Sequence, residues 1–228
     1  MASKILSWIR PVVIGAWLAG GMGLAVATAA EVRTLWLLPE TPPEVVRDIT
    51  VRHVADASGH EASFRILLFS DEFRWRLSSW NTIEDGTSVP RFTPEMKTVL
   101  DSAVEIICVG ASSEEVPAGI GTVAGRQHEE WRAGRRAERI AVWVREALSK
   151  PIPVRKLNIG HHAPTSGTQD TSDQRRVVVI LVLDRDEDAN LDEALRAAMT
   201  REASRTPLFA SLLGNYSLGG GQAFTWMP

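Results

Sequence analysis

Residues 129–148 read EEWRAGRRAERIAVWVREAL, with arginines at 132, 135, 136, 139 and 145. At about 100° per residue, Ala133, Ala137, Val144, Ala147 and Leu148 fall on the same side as Ile140, so the stretch is an amphipathic helix. Arg136 lies about 40° from Ile140, at the edge of the apolar side and near the helix start. Arg132, Arg135, Arg139 and Arg145 fall outside that side, interspersed with Glu138 and Glu146, and are expected to be solvated. A helix of this kind needs a sheet or another helix to cover its apolar stripe. Arg136 is the one guanidinium placed at that margin. It either meets a ligand there, or it snorkels and pairs with a local carboxylate.

The segments around the helix supply the sheet. VEIICVG (104–110) and RRVVVILVL (175–183) are apolar runs of strand length, and VRKLNIG (154–160) is a shorter one. ASFRILLFS (62–70) reads as a buried strand, and FRWRLSSW (73–80) as a half-buried one that alternates Phe73, Trp75 and Leu77 against polar residues. FTPEMKTVLDSA opens a second helix, with Thr93 as N-cap, Pro94 in the first turn and Glu95 at the positive end of the dipole. A loop with Pro117, Gly119, Gly121 and Gly125 leads to the arginine helix. Residues 190–205 form a third helix, with Asn190 and Glu193 in capping-box spacing. Ile49–Val54 is a strand candidate inside an otherwise unassigned stretch, and the tail GNYSLGGGQAFTWMP reads as irregular. Strands alternating with helices predict an α+β sandwich in the order β/α/β/α/β-β. It has one mixed sheet with helices on one face, plus an extra C-terminal helix.

The ends and the composition bound the rest. The chain has 228 residues, 44% of them apolar, and a formal net charge of −3. A general nucleic-acid binder is disfavoured, since such proteins carry a basic excess. Lys4 and Arg10 precede an uncharged apolar run, residues 11–30, that ends in ATAAEV. Charged start, apolar middle and the Ala27-x-Ala29 exit predict a secretory signal cleaved after Ala29 and a periplasmic mature chain. An uncleaved inner-membrane anchor is the alternative. The expected organisation is a signal at 1–29, an N-terminal extension at 30–61, the main domain at 62–184, and a helix with a Gly-rich tail at 185–228. Cys108 is the single cysteine. It lies in an apolar run and reads as a buried small residue rather than a nucleophile.

Five pieces in this order resemble the OmpA-like peptidoglycan-binding domain of outer-membrane proteins, Pal lipoproteins and flagellar stators. They are FTPEMKTVL, VEIICVGASS, RAGRRAERIAVWV, LNIGHHAP and DTSDQRRVVVILV. The resemblance covers about residues 62–184. It implies non-covalent association with peptidoglycan, in which an aspartate takes the ammonium of a diaminopimelate side chain and an arginine takes its carboxylate. A guanidinium suits the second task, because it forms a bidentate fork with a carboxylate. Arg136 matches the family's arginine, in an Arg-Ala pair with Ala137. Gly110 matches the family's glycine, and Arg175 and Arg176 match the closing Arg-Arg. The chain departs from the pattern at Ala111, Ser112 and Ser113, which stand for His-Thr-Asp. Ser113 therefore replaces the acid, and Glu114 or Glu115 lies close enough in sequence to take its place. Glu129 stands where an asparagine is expected, and Arg132-Ala133 where Leu-Ser is. Two readings follow: an exported envelope module that binds peptidoglycan, or an OmpA-like scaffold, a subunit of an envelope assembly, that has lost wall binding.

Other chemistry is thin. His161 and His162 are adjacent on extended backbone, point opposite ways and have no third ligand nearby, so no metal site is expected. DRDEDANLDEAL (184–195) has Asp184, Asp186 and Asp188 but lacks the turn glycine and closing glutamate of a calcium loop, and reads as a solvated acidic turn. No nucleophile elbow or phosphate loop is present, so neither an enzyme nor a cofactor is expected.

Overall fold

The computed structural model describes residues 33–35, 46–69, 74–84, 92–115, 119, 121–164, 170–205, 209 and 225–226. The apolar run at 11–30 and the cleavage expected after Ala29 lie outside them. Among the described residues no helix is long and apolar enough to cross a membrane.

The elements are β1 (Arg33–Leu35), β2 (Val46–Ala55), β3 (Glu61–Leu68), α1 (Pro94–Asp101), β4 (Glu105–Ser112), α2 (Thr122–Ala147), β5 (Val154–His161), a 3₁₀ turn (Ser172–Arg175), β6 (Val178–Arg185), α3 (Leu191–Glu202) and β7 (Thr225–Trp226). All seven strands join one sheet in the order β1-β2-β3-β6-β4-β5-β7. β4 and β5 pair in parallel, with α2 as the crossover between them, and every other pairing is antiparallel. This is the expected α+β plan with one mixed sheet.

Period-2 alternation divides the strands between two cores. Leu67, Ile106, Cys108, Val154, Val179 and Leu181 face α1 and α2. Phe64, Ile66, Ile107, Val109, Leu157, Ile180 and Val182 face α3 and Phe209. α1 and α2 therefore share one face, as the sequence predicts, while the extra helix covers the other. Two-sided cover is why β4 and β6 read as unbroken apolar runs rather than alternating ones. Cys108 is fully buried, and burial pushes its thiol far above the ordinary range.

The caps are local. Thr93 Oγ1 accepts from Met96 N at 3.3 Å at the start of α1. Asn190 Oδ1 accepts from Asp192 N and Glu193 N at the start of α3.

Five elements differ from expectation. α2 starts at Thr122, so Gly125 is a buried helix residue rather than a loop glycine, and Arg136 lies mid-helix. Residues 74–80, the described part of the strand expected at 73–80, are not a strand. Arg74 and Trp75 make isolated bridges to Arg176 and Ile83, and Leu77, 50% exposed, sits in a turn beside Ser78 at φ 58°. The last strand begins at Val178, because Arg175 closes the 3₁₀ turn. Thr225–Trp226, within the tail read as irregular, pairs with Arg155 and Lys156. The strand expected at Ile49–Val54 is the longer β2, Val46–Ala55, which extends the sheet beyond β3.

Candidate functional site

The residues that the sequence singles out converge where β4 ends. α2 lies so close to β4 that a Cβ on Gly110 would stand 1.9 Å from Ala133 O and 2.6 Å from Ala137 N. Only glycine permits that approach, which makes Gly110 a packing residue. Just beyond it, Ser112 Oγ donates to Glu129 O at 2.9 Å, fixing the register of helix on strand.

Arg136 is 1% exposed. Its Nη1 donates to Ala111 O at 2.7 Å and its Nε to Ser79 O at 2.9 Å. The guanidinium also lies 5.6 Å from the Trp75 ring centroid, and Trp75 stacks on Trp143 at 5.2 Å and 19°. Residues 74–84 thus form a cover over the middle of α2. Arg175 pins the cover from beneath, with Nη1 donating to Trp75 O at 2.8 Å and to Glu84 Oε2 at 3.0 Å.

Glu129 is also 1% exposed, and it pairs with Arg132 one turn on, itself 5% exposed. Burial raises the Glu129 carboxyl above its ordinary value, and the charges of Arg132 and Arg136 partly offset the rise. The expectation that Arg132, Arg135, Arg139 and Arg145 are solvated holds in full only for Arg145, the one of the four that is exposed. Arg132 is buried in the Glu129 pair. Arg135 lies over Trp80 at 4.7 Å and Arg139 over Trp143 at 5.5 Å, both half-buried. The helical wheel treated everything outside the apolar stripe as facing water. The cover, with its tryptophans, shields a second strip of the helix.

Ser113 is 3% exposed, and its hydroxyl donates to Glu115, which also accepts from Thr171. Glu115 does stand beside the position of the missing acid, but it is held by two hydroxyls. Glu114 contributes its backbone N–H to Gln174 Oε1 at 2.8 Å. Arg176 pairs with Asp173 at 2.6 Å. The structure therefore gathers Gly110, Ser113, Glu114, Glu129, Arg136 and Arg175 around one strand end, with Arg136 and Arg175 bonded to main-chain carbonyls and Ser113, Glu114 and Glu129 bonded to the neighbouring Glu115, Gln174 and Arg132.

Arg132 and the cover were missed by sequence reasoning. One signal for Arg132 was present: Glu129, Arg132 and Arg136 are spaced i, i+3, i+7, which places them on one strip of a helix.

His161 Nδ1 lies 3.4 Å from Glu130, and His162 is buried with its ring against Ala163 O at 2.7 Å. Asp184, Asp186 and Asp188 are exposed, and Asp186 accepts from Glu61 N at 2.7 Å. Among the described residues no group of three or more His, Cys, Asp or Glu is placed to hold a metal ion.

No family model matches the chain. No curated protein matches it either. Among solved structures, the chain is similar to the OmpA-like domain of FopA1 from Francisella tularensis, at 11% identity and a TM-score of 0.31, over 68% of this chain and 97% of that one.

Proposed function

We propose that this protein is an exported, non-catalytic interaction subunit of the cell envelope. It is built on an OmpA-like plan in which the arginine that such domains turn toward peptidoglycan has become a core residue. The burial of Arg136 carries this reading. A guanidinium that grips a carboxylate must present two parallel N–H groups to the ligand. Here Nε and Nη1 are engaged by main-chain carbonyls of two different segments, and the group is sealed by the 74–84 cover. Peptidoglycan binding through Arg136 would require the cover to lift, breaking the Ser79 bond, the Trp75–Trp143 stack and the Arg175 bond to Trp75 O. Charge-assisted hydrogen bonds contribute about 1.5–3 kcal/mol each, so lifting costs more than one diaminopimelate fork returns.

Co-sedimentation with purified sacculi tests this. The expected result is that the chain stays in the supernatant and that Arg136→Ala leaves the partition unchanged. Retention of the wild type, lost on Arg136→Ala in a folded variant, would establish wall binding and overturn the proposal.

Export is tested separately. N-terminal sequencing of chain recovered from the periplasm should begin at Ala30. Finding Met1 or Ala2 on membrane-bound chain would mean that residues 11–30 remain as an anchor.

A further inference from the structure

Of the described helices, α3 is the one on its side of the sheet, and its packing falls on β2 and β3. α1 and α2 lie against the opposite face. Ile107 and Val109 of β4 and Leu157 and Ile159 of β5 point to the α3 side, where no described helix is packed over them. All four are nevertheless buried, none more than 6% exposed. Apolar side chains on a sheet face stay out of water only under a second layer of structure.

Two described points bracket the source of that layer. Phe209 is fully buried and belongs to the same core as the four side chains. Thr225–Trp226, β7, pairs with the outer edge of β5. The chain that leaves α3 over β2 and β3 therefore arrives at the other end of the sheet, beyond β5. In the order β3-β6-β4-β5-β7 this is four strand spacings, about 19 Å. An extended chain from 209 to 225 reaches roughly 50 Å, so a crossing has length to spare. Across the opposite face the way is blocked, because α2 packs on β4 and β5 there. The composition suits the α3 side. No Asp, Glu, Lys, Arg or His follows Arg205, while Leu212, Leu213, Tyr216 and Leu218 are spread along the stretch. An uncharged segment lies on apolar side chains without desolvating an ion. The other segments outside the described residues start and end elsewhere. Residues 36–45 join β1 to β2 at the far edge of the sheet, and 165–169 join β5 to the 3₁₀ turn at the strand ends. Residues 70–73 and 85–91 flank the cover, which lies on the α2 side.

We infer that residues 210–224 dock on the α3-side face of β4 and β5, so that the C-terminal segment is the second layer over that half of the sheet. A chain that covers this face itself does not offer it to a partner subunit. The inference goes beyond the interaction-subunit reading and does not depend on it.

NMR of the full chain with labelled Ile, Leu and Val methyls tests it. The methyls of Leu212, Leu213 or Leu218, or the ring of Tyr216, the single tyrosine of the chain, should give NOEs to Ile107, Val109, Leu157 or Ile159. They should give none to Ile106, Val154 or Val179, which face α1 and α2. In a mixture of labelled and unlabelled chains the NOEs should be intramolecular. Leu212→Asp combined with Leu213→Asp sets a carboxylate against the face whichever of the two neighbours points inward. The urea midpoint of that variant should fall by about 1 M or more. Val123→Asp adds a carboxylate at an exposed position in the first turn of α2 and should leave the midpoint unchanged. The inference is overturned if the NOEs are absent, if they come instead from another segment or from a second copy, or if the double aspartate variant unfolds at the wild-type midpoint. No readout involves sacculi, so this inference and the interaction-subunit reading fail separately.

Discussion

Arg136→Ala is expected to lower the stability of the fold by about 3–5 kcal/mol, the loss typical of removing one member of a buried charged network. The truncation leaves Ala111 O and Ser79 O without their donor, removes the cation beside Trp75 and strips a neighbouring positive charge from buried Glu129. In urea the midpoint should fall by roughly 1–2 M at an unchanged slope. Arg136→Lys should recover only part of the loss. An ammonium keeps the charge, but it lacks the planar fork that reaches two carbonyls on separate segments. The result also discriminates between functions. A ligand-gripping arginine is retained at some cost to the fold, so its removal leaves stability unchanged or raised and abolishes binding. A core arginine does the reverse. If Arg136→Ala unfolds at the wild-type midpoint, the burial described for this side chain is wrong, and the interaction-subunit reading falls with it.

Gly110→Ala should cost about 3 kcal/mol or more, the upper end of what overpacking does. The added methyl meets Ala133 O at 1.9 Å and Ala137 N at 2.6 Å. Both are backbone atoms of a helix, so neither can turn aside, and α2 must lift from β4. The Ser112–Glu129 bond and the Arg136–Ala111 bond both cross that seam and should weaken together. Gly134→Ala is the internal comparison. Its new methyl would meet only the Asn158 side-chain amide at 3.2 Å, and alanine is the better helix former by about 0.8–1 kcal/mol. Thermal unfolding should therefore show a large fall for the first and little change for the second. Equal effects would mean that the close approach of α2 to β4 does not set the cost at Gly110.

The readable parts of this fold were those whose physics is local. VEIICVG and the valine run at 177–182 declare buried strands, because a sheet covered on both faces needs apolar residues at every position. Thr93-Pro94 and Asn190 mark helix starts, because a capping side chain and a proline at the first turn act within a few residues. The apolar stripe through Ala133, Ala137, Ile140 and Val144 identifies the face of α2 that meets the sheet. What depended on distant segments was not readable. The long entry to α2 carries Gly125, which looks like a loop residue by propensity, and packing overrides it, while Gly121 stays outside the helix as its N-cap. The polar side of α2 looked solvated, since nothing in 129–148 announces that residues 74–84 will fold over it. Arg132, Arg135 and Arg139 are shielded by tryptophans and a glutamate drawn from the cover and from α2 itself. Arg136 shows the division most plainly. Its position at the margin of the sheet follows from helical periodicity alone. Whether that margin opens to a ligand or closes on Ser79 O and Ala111 O depends on a segment 57 residues away in the chain, and a contact of that kind exists only once the tertiary structure has formed.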